Sequence, residues 1–321
     1  MSKIDLGKYN IRTDLIIEDN KITHYEENVD GLTITKSSKN GNYYTISFDD
    51  ITDNDNREKV FKHLPNIINE ILNINHINEN DSCLIIGLGN RLSTPDSLGV
   101  KVLDDIIVTG HLYSVGKVSD GMRKVYAFSP SVMANTGIES AKIIKSLIKE
   151  IKPNFVIAID ALASRSLERL NKTIQITDTG IHPGSGIGNN RVEISKKTMN
   201  IPIIAIGVPT VVMSSVIVYD TIDYLIKHIS YIKEFESINK LSFKRNNYIN
   251  KLKNKELNDL EKTNLLGLFG DLNNIDKRSL IEEVLNNIEL NLIVTPTEID
   301  FLIDKLSNLI ARSINKVLHK I

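Results

Sequence analysis

Residues 155–162 read FVIAIDAL, and every position except Asp160 is apolar. A run of this length and composition is typical of a strand that is buried on both faces, as in a parallel sheet covered by helices. The run therefore predicts a carboxylate at the end of a buried strand. Burial of a carboxylate is costly unless it is paired, bound to a metal or protonated. The alternative is an Asp that caps the following helix.

Comparable apolar runs occur at 83–87, 125–128 and 203–208, and helical patterns separate them. Alternation of strands and helices predicts an α/β fold, here a three-layer sandwich around a mostly parallel sheet. Sites in such sheets form at the carboxyl ends of the strands. Residues 201–219 carry no charge, but Pro209 interrupts them, so we expect a buried strand, a loop and a second buried element rather than a membrane span.

Apolar periodicity predicts two helices in the first half of the chain. Residues 136–151 begin with a capping box formed by Thr136 and Glu139 and continue with an apolar stripe. Residues 57–75 form an amphipathic helix that Pro65 either bends or starts.

The two ends of the chain differ in their predicted structure. Residues 15–50 are strand-rich, with a hairpin turn at 39–42. The C-terminus is helical after a capping box at 295–298. A stretch rich in Lys, Asn and Glu at 233–262 predicts an exposed insertion. We therefore expect a single α/β domain over 15–321.

Composition excludes several classes of protein. The 321 residues include 39 Lys and Arg and 40 Asp and Glu, which gives a formal net charge of -1. This balance is not that of a basic nucleic-acid binder or an acidic disordered tail. The single cysteine, Cys83, excludes an internal disulfide, and its apolar neighbours indicate an inert core residue. Because the N-terminus has no signal-peptide pattern, we expect a cytoplasmic protein.

The turn after the apolar run at 83–87 is a second candidate site. It reads GLGN at 87–90 and continues to Asp96. A dinucleotide-binding fingerprint needs glycine where this chain has Leu92, and no Gly-Lys-Ser/Thr of a phosphate-binding loop follows. What remains is a tight turn that carries a carboxylate.

The third candidate is the glycine-dense segment at 177–189, which is typical of a loop that lines a pocket. It contains His182, a residue type that is more often structural when it stands alone. Ser185 lacks the context of a nucleophile elbow because position 183 is proline. The Asp-Thr-Gly triplet at 178–180 occurs once, and we attribute its match to pepsin-like proteases to chance. From these residues alone, a small-molecule α/β enzyme and an anion-binding module both stay open.

Longer segments carry a resemblance to a known family. They are GLGNRLSTPDSLGVKVLDD from Gly87, PSVMANTGIESAKIIK from Pro130, NFVIAIDALASRSLERLNKTIQITDTGIHPGSGIGNNR from Asn154 and IPIIAIGVPTVV from Ile201. With IRTDL at 11–15 and NLIVTPTEID at 291–300, they resemble the germination proteases of spore-forming Firmicutes over essentially the whole chain. Proteins of that family degrade small acid-soluble spore proteins at germination, and their fold resembles that of the hydrogenase maturation proteases.

The resemblance implies a set of site residues. The family's proposed catalytic carboxylates lie in its TPD and AIDAL segments, which correspond here to Asp96 and Asp160. The equivalent positions of the hydrogenase maturation proteases contact nickel, so a metal-binding endopeptidase is the alternative. The resemblance also implies a precursor that removes residues 1–14 by cutting the Asp14–Leu15 bond, an acidic residue before a hydrophobe as in the family's substrates. Further residues expected to line the site are Gly89, Asn90, His182, Gly184, Ser185, Gly186 and Arg165.

The implied reaction is hydrolysis by a carboxylate pair. Two close carboxylates share one proton, so the ionised member takes a proton from water and the protonated member donates one to the substrate. We expect backbone N–H groups at 180–189 near the developing oxyanion, and a cationic pocket from Arg165, Arg169 and Arg191 for the acidic substrate residue. The resemblance further implies a homotetramer in the spore core, with no cofactor, no resident metal and no direct contact with nucleic acid or membrane.

Overall fold

The computed structural model describes residues 14–19, 21–184, 192–234, 257–290 and 292–320. The described residues form two compact units. The smaller unit comprises Arg165–Leu167 and the described part of Val212–Val294, and the larger unit comprises the other described residues.

The strands and helices follow the α/β pattern that the sequence predicts. The strands are β1 (His24–Val29), β2 (Leu32–Ser38), β3 (Asn42–Ser47), β4 (Cys83–Gly87), β5 (Val125–Phe128), β6 (Phe155–Ser164), β7 (Thr173–Thr177), β8 (Ile203–Met213) and β9 (Ile293–Val294). The helices are α1 (Asn54–Ile74), α2 (Leu98–Val102), α3 (Gly110–Ser114), α4 (Met133–Thr136), α5 (Ser140–Ile151), α6 (Lys196–Met199), α7 (Ser214–Glu234), α8 (Asp259–Leu266), α9 (Leu268–Asp271), α10 (Asn274–Asn287) and α11 (Ile299–Leu318).

The sheet is mixed, with strand order β1-β2-β3-β7-β8-β6-β4-β5. Strand β4 runs parallel to both β5 and β6. The neighbouring pairs β1–β2, β2–β3, β3–β7 and β7–β8 are antiparallel. The α/β class is confirmed, and the sheet is mixed rather than mostly parallel because the N-terminal hairpin strands join it through β7. In the smaller unit, β9 pairs with Val212 and Met213 at the end of β8, and α7 packs against α10.

The larger unit has a hydrophobic core on each face of its sheet. Alternate residues of a strand point to opposite faces, so β6 divides its side chains between the two cores. Ile157 and Ile159 pack with α1 and α11, whereas Val156, Ala158 and Leu162 pack with α5. Helices thus cover both faces of the sheet, as expected for a three-layer sandwich.

Several local predictions are confirmed. The hairpin joins β2 to β3 through residues 39–41, and β4 and β5 have the predicted bounds. Helix α1 starts at Asn54, where the carboxylate of Asp53 accepts a hydrogen bond from the N–H of Asp55 at 2.7 Å. Pro65 lies inside this helix rather than at its start.

The predicted capping box of Thr136 and Glu139 is wrong. Thr136 ends the short helix α4, because Gly137 follows in the left-handed region with φ +69°. The next helix begins at Ser140, and the carboxylate of Glu139 instead accepts a hydrogen bond from the N–H of Val192 at 2.8 Å.

Two predictions near the C-terminal half are also wrong. Helix α11 begins after Glu298 without a side-chain cap, because the hydroxyl of Thr295 donates to the carbonyl of Thr210 at 2.8 Å. Pro209 does not interrupt the apolar run that contains it. It lies within β8, and its carbonyl accepts a hydrogen bond from the N–H of Asn171 at 2.7 Å.

Most of the predicted insertion at 233–262 lies outside the described residues, which resume at 257. Within the described ranges, no helix is both long and apolar enough to cross a bilayer.

Candidate active site

Asp160 lies within β6, at the point where the neighbouring strand ends. Gly87, the last residue of β4, is paired with Ile159, and the N–H of Leu88 donates to the carbonyl of Ile159 at 2.8 Å. Asp160 is therefore the first residue of β6 beyond the end of β4. The strand continues to Ser164, so the prediction that Asp160 ends its strand is wrong, and Asp160 does not cap a helix. The residue is 6% exposed, and its Oδ1 accepts the N–H of Ala161 at 2.9 Å.

Asp96 closes a 3-10 turn, Thr94–Asp96, that follows β4. Its carbonyl accepts a hydrogen bond from the N–H of Asn90 at 3.0 Å. The hydroxyl of Thr210 in β8 donates to the carbonyl of Pro95 at 2.7 Å. The turn that carries Asp96 is thus tied both to the end of β4 and to β8.

Gly89 is packed against Asp96. Its φ of +108° is in the region that favours glycine. A Cβ at this position would overlap the carbonyl oxygen of Asp96 and lie 3.2 Å from its carboxylate Oδ1. Gly89 therefore allows the close approach of Asp96, and the tight turn after β4 that the sequence predicts is present.

One short segment links the two predicted catalytic residues. Leu88 bonds to the residue that precedes Asp160, and Asn90 bonds to Asp96 itself. Asn90 and the intervening Gly89 are both predicted to line the site. The fold thus brings the backbones of the two carboxylate residues to a common turn at the end of β4.

The predicted self-cleavage bond lies beside the same strand. The N–H of Asp14 donates to the carbonyl of Ala163 at 3.2 Å, and the N–H of Ala163 donates to the Asp14 carboxylate at 3.0 Å. Leu15 is 1% exposed and belongs to the same core as Leu162. The Asp14–Leu15 peptide is therefore docked on β6, the strand that carries Asp160.

Glu18 anchors the end of this docked segment. The hydroxyl of Ser164 donates to its carboxylate at 2.7 Å, and Nη1 of Arg169 lies 3.2 Å from the same carboxylate oxygen. Glu18 is itself 9% exposed. Arg169, which the sequence suggested for a substrate pocket, therefore pairs with a residue four positions past Asp14.

A cavity of about 800 Å³ in the larger unit adjoins the docked segment. Its lining includes Asp14, Ile16, Leu162, Gln175, Gly207 and His182. His182 is exposed, and its Nε2 lies 3.6 Å from the carboxylate of Glu193. His182 thus lies in the same cavity as Asp14, whereas Asp96 and Asp160 are not among the residues that line it.

The Asp-Thr-Gly triplet has a structural role. The carboxylate of Asp178 accepts hydrogen bonds from the N–H of Asn42 at 2.7 Å, from the side-chain amide of Asn42 at 2.8 Å and from that of Asn75 at 3.1 Å. These contacts fix the end of β7 to the hairpin and to α1, which agrees with the view that the resemblance to pepsin-like proteases is accidental.

Other predicted residues are placed as follows. Gly184, with φ +73°, is the last described residue before the gap, and Ser185, Gly186 and Arg191 lie outside the described residues. Arg165 belongs to the smaller unit, where its carbonyl accepts a hydrogen bond from Arg278 at 3.0 Å. In the described part of the chain, no group of three or more His, Cys, Asp or Glu side chains is arranged to hold a metal ion.

Residues 9–321 match the family model described as germination protease. The chain belongs to the germination protease family. Similar proteins are the germination proteases of Bacillus cereus, 41% identical over 98% of this chain and 95% of that protein, and of Bacillus pumilus, 40% identical over 99% and 96%. The family identified from the sequence is therefore confirmed, and its members are proteases.

Among solved structures, the chain matches a NiFe hydrogenase maturation protease from Thermococcus kodakarensis. The match has 19% identity, covers 40% of this chain and 74% of the other, and has a TM-score of 0.26. This likeness is too small to support an argument about fold or site.

In this member of the germination protease family, we expect the thiol of Cys83 not to react with alkylating reagents while the protein is folded. It is fully buried in β4, and burial raises the pKa of its thiol well above the usual range. Iodoacetamide at neutral pH should leave the folded protein unmodified, whereas the same treatment in guanidinium should add one carbamidomethyl group by intact mass. Complete alkylation of the folded protein in the same time would contradict the burial.

Proposed function

We propose that this protein is an endopeptidase that starts the degradation of small acid-soluble spore proteins in the spore core during germination. We further propose that it is made as a precursor that removes residues 1–14, and that it acts as a homotetramer. The observation that carries the proposal is the docking of the Asp14–Leu15 peptide on β6, beside Ala163 and on the strand of Asp160. This arrangement resembles a protease with a substrate-like segment of its own chain in the cleft.

The proposed chemistry uses Asp96 and Asp160 as a pair. In a partly buried site, two nearby carboxylates share one proton and titrate as a unit. The ionised member removes a proton from water, which attacks the scissile carbonyl, and the protonated member donates to the carbonyl oxygen or to the leaving amine. No covalent intermediate is needed, which is consistent with the full burial of Cys83.

The docked segment also suggests a basis for specificity. The Asp14 carboxylate accepts the N–H of Ala163, and Leu15 is buried in an apolar core. An acidic residue before the cut and a large hydrophobe after it would use both features. We infer that backbone N–H groups contribute to recognition of the acidic residue, in addition to any cationic side chain.

Incubation of the purified full chain at mildly acidic pH tests the proposal. We expect the intact mass to fall by the mass of residues 1–14 and N-terminal sequencing to give Leu15. The processed protein should then cut a purified small acid-soluble spore protein after an acidic residue, while a sample kept at neutral pH serves as the unprocessed control. A stable full-length chain without activity on the spore protein, or a first cut elsewhere, would contradict the proposal.

A further inference from the structure

The side chain of Gln175 forms hydrogen bonds with the main chain on both sides of Leu15, the residue that follows the predicted cleavage bond. Its Nε2 donates to the carbonyl oxygen of Asp14 at 3.0 Å, and its Oε1 accepts the N–H of Ile16 at 2.7 Å. The Asp14 carbonyl is the carbonyl of the Asp14–Leu15 peptide. One side-chain amide therefore holds the chain on both sides of Leu15.

The sheet explains how Gln175 reaches this position. Ile174 and Ile176 on either side of it in β7 are in the core on the opposite face. Gln175 is paired with Gly207 of β8, and β8 lies between β7 and β6. Since the docked segment pairs with β6, the Gln175 side chain must cross β8 to reach it. A Cβ at Gly207 would overlap Leu162, so this glycine leaves room for the Leu162 side chain against β8.

The surroundings make these hydrogen bonds significant. Gln175 is 6% exposed, and a buried amide without partners would be strongly destabilising. Both hydrogen bonds go to main-chain atoms of the docked segment, the carbonyl of Asp14 and the N–H of Ile16, and neither involves a side chain of that segment. Gln175 could therefore hold any peptide that lies in this register, whatever its side chains.

We propose that Gln175 is a substrate-binding residue of the cavity beside the docked segment. Its side-chain amide holds the backbone on both sides of the first residue after the cut, and we call this pair of hydrogen bonds the clamp. This inference rests on the proposed function. The Nε2 group holds and polarises the scissile carbonyl, and its hydrogen bond strengthens as water attack places negative charge on that oxygen. The Oε1 group holds the N–H of the second residue after the cut. The substrate class is an extended peptide with an acidic residue followed by a hydrophobe, first in the precursor itself and then in the spore protein.

Substitution of Gln175 in the full chain gives the first test. Gln175→Ala should slow self-cleavage at Asp14–Leu15 at least about tenfold, because it removes both bonds to the peptide. Gln175→Glu keeps an acceptor for the Ile16 N–H but presents an oxygen to the Asp14 carbonyl, so it should be at least as slow as the Ala variant. Rates are measured by intact mass, and the thermal midpoint of each variant reports whether the fold is retained.

A double-mutant cycle separates the clamp from a merely structural role. Ile16→Pro removes the N–H that Oε1 accepts, and Leu15 already has the extended conformation, φ -91° and ψ 120°, that a residue before proline prefers. Ile16→Val keeps the N–H and is the matched control for the smaller side chain. With Gln175 present, Ile16→Pro should be at least about fivefold slower than Ile16→Val, and with Gln175→Ala the two should be equal within about twofold.

The outcomes distinguish the clamp from the proposed function. Failure of the wild-type precursor to cut itself or a spore protein would overturn the proposed function and the clamp together. Wild-type self-cleavage with an unchanged rate in Gln175→Ala would overturn the clamp alone. A ratio between Ile16→Pro and Ile16→Val that is the same with and without Gln175 would also overturn it, since a general structural role predicts no coupling.

Discussion

Replacement of Asp160 by Asn in the full chain is expected to reduce self-cleavage at Asp14–Leu15 by about 10³-fold or more. Asn has nearly the same shape, and its side-chain oxygen can still accept the N–H of Ala161, which Asp160 holds at 2.9 Å. It cannot take a proton from water. Asp96→Asn should have an effect of similar size, because the proposed mechanism needs one ionised and one protonated member. Self-cleavage and cleavage of a spore protein are followed by mass spectrometry.

Asp104→Asn is the matched control for these substitutions. Asp104 lies close to Asp96 in the sequence but is exposed, where it pairs with Arg91 at 2.6 Å. An exposed ion pair contributes little to stability, so this variant should cut at close to the wild-type rate. Thermal unfolding of all three variants shows whether they remain folded. Full activity of either Asp96→Asn or Asp160→Asn would refute the catalytic assignment.

Gly89→Ala is expected to lower activity by about 100-fold, through the position of Asp96 rather than through chemistry at residue 89. A Cβ at this position overlaps the Asp96 carbonyl oxygen, so the turn must move. The φ of +108° adds strain for any residue with a side chain. Since the carbonyl of Asp96 is bonded to Asn90, displacement of the turn also displaces the carboxylate. Activity of the precursor on its own bond is the measurement.

Gly31→Ala controls for backbone strain alone. Gly31 also has a positive φ, +82°, but a Cβ there meets no atom within 4 Å. We expect this variant to lose some thermal stability and to retain the wild-type cleavage rate. An equal loss of activity in both variants would show that close packing of Gly89 on Asp96 does not matter for the site.

The parts of the fold that depend on local sequence could be predicted. The apolar runs of β4 and β5 have their predicted bounds, because a fully buried short strand leaves an uninterrupted apolar signal. The failed capping boxes at Thr136 and at 295–298 show the limit of this reasoning. The sequence predicts that Glu139 and Thr295 each take part in the capping box of a helix. In the structure, their side chains bond instead to Val192 and Thr210, respectively, both distant in sequence.

In the candidate site, too, the features that depend on local sequence could be predicted and the contacts between distant residues could not. The sequence predicts Asp160 in a buried strand and Asp96 in the turn after β4, and the structure places both residues there, whereas their catalytic role stays a prediction. The docking of Asp14 on Ala163 joins residues far apart in the chain, and only the family resemblance pointed to that bond. Gln175 was missed, although a polar residue in the buried strand TIQIT was a signal that could have been followed.

The burial of Leu15 has a consequence for the reversibility of processing. Hydrolysis of the preceding bond converts an amide N–H into an ammonium group on a residue that is 1% exposed and surrounded by apolar side chains. A charged amine is strongly disfavoured in such surroundings, so the new chain end gains free energy by moving into water. Religation would require the charged amine of Leu15 to return to this apolar core. For the proposed precursor, the burial of Leu15 therefore favours cleavage of the Asp14–Leu15 bond over its religation.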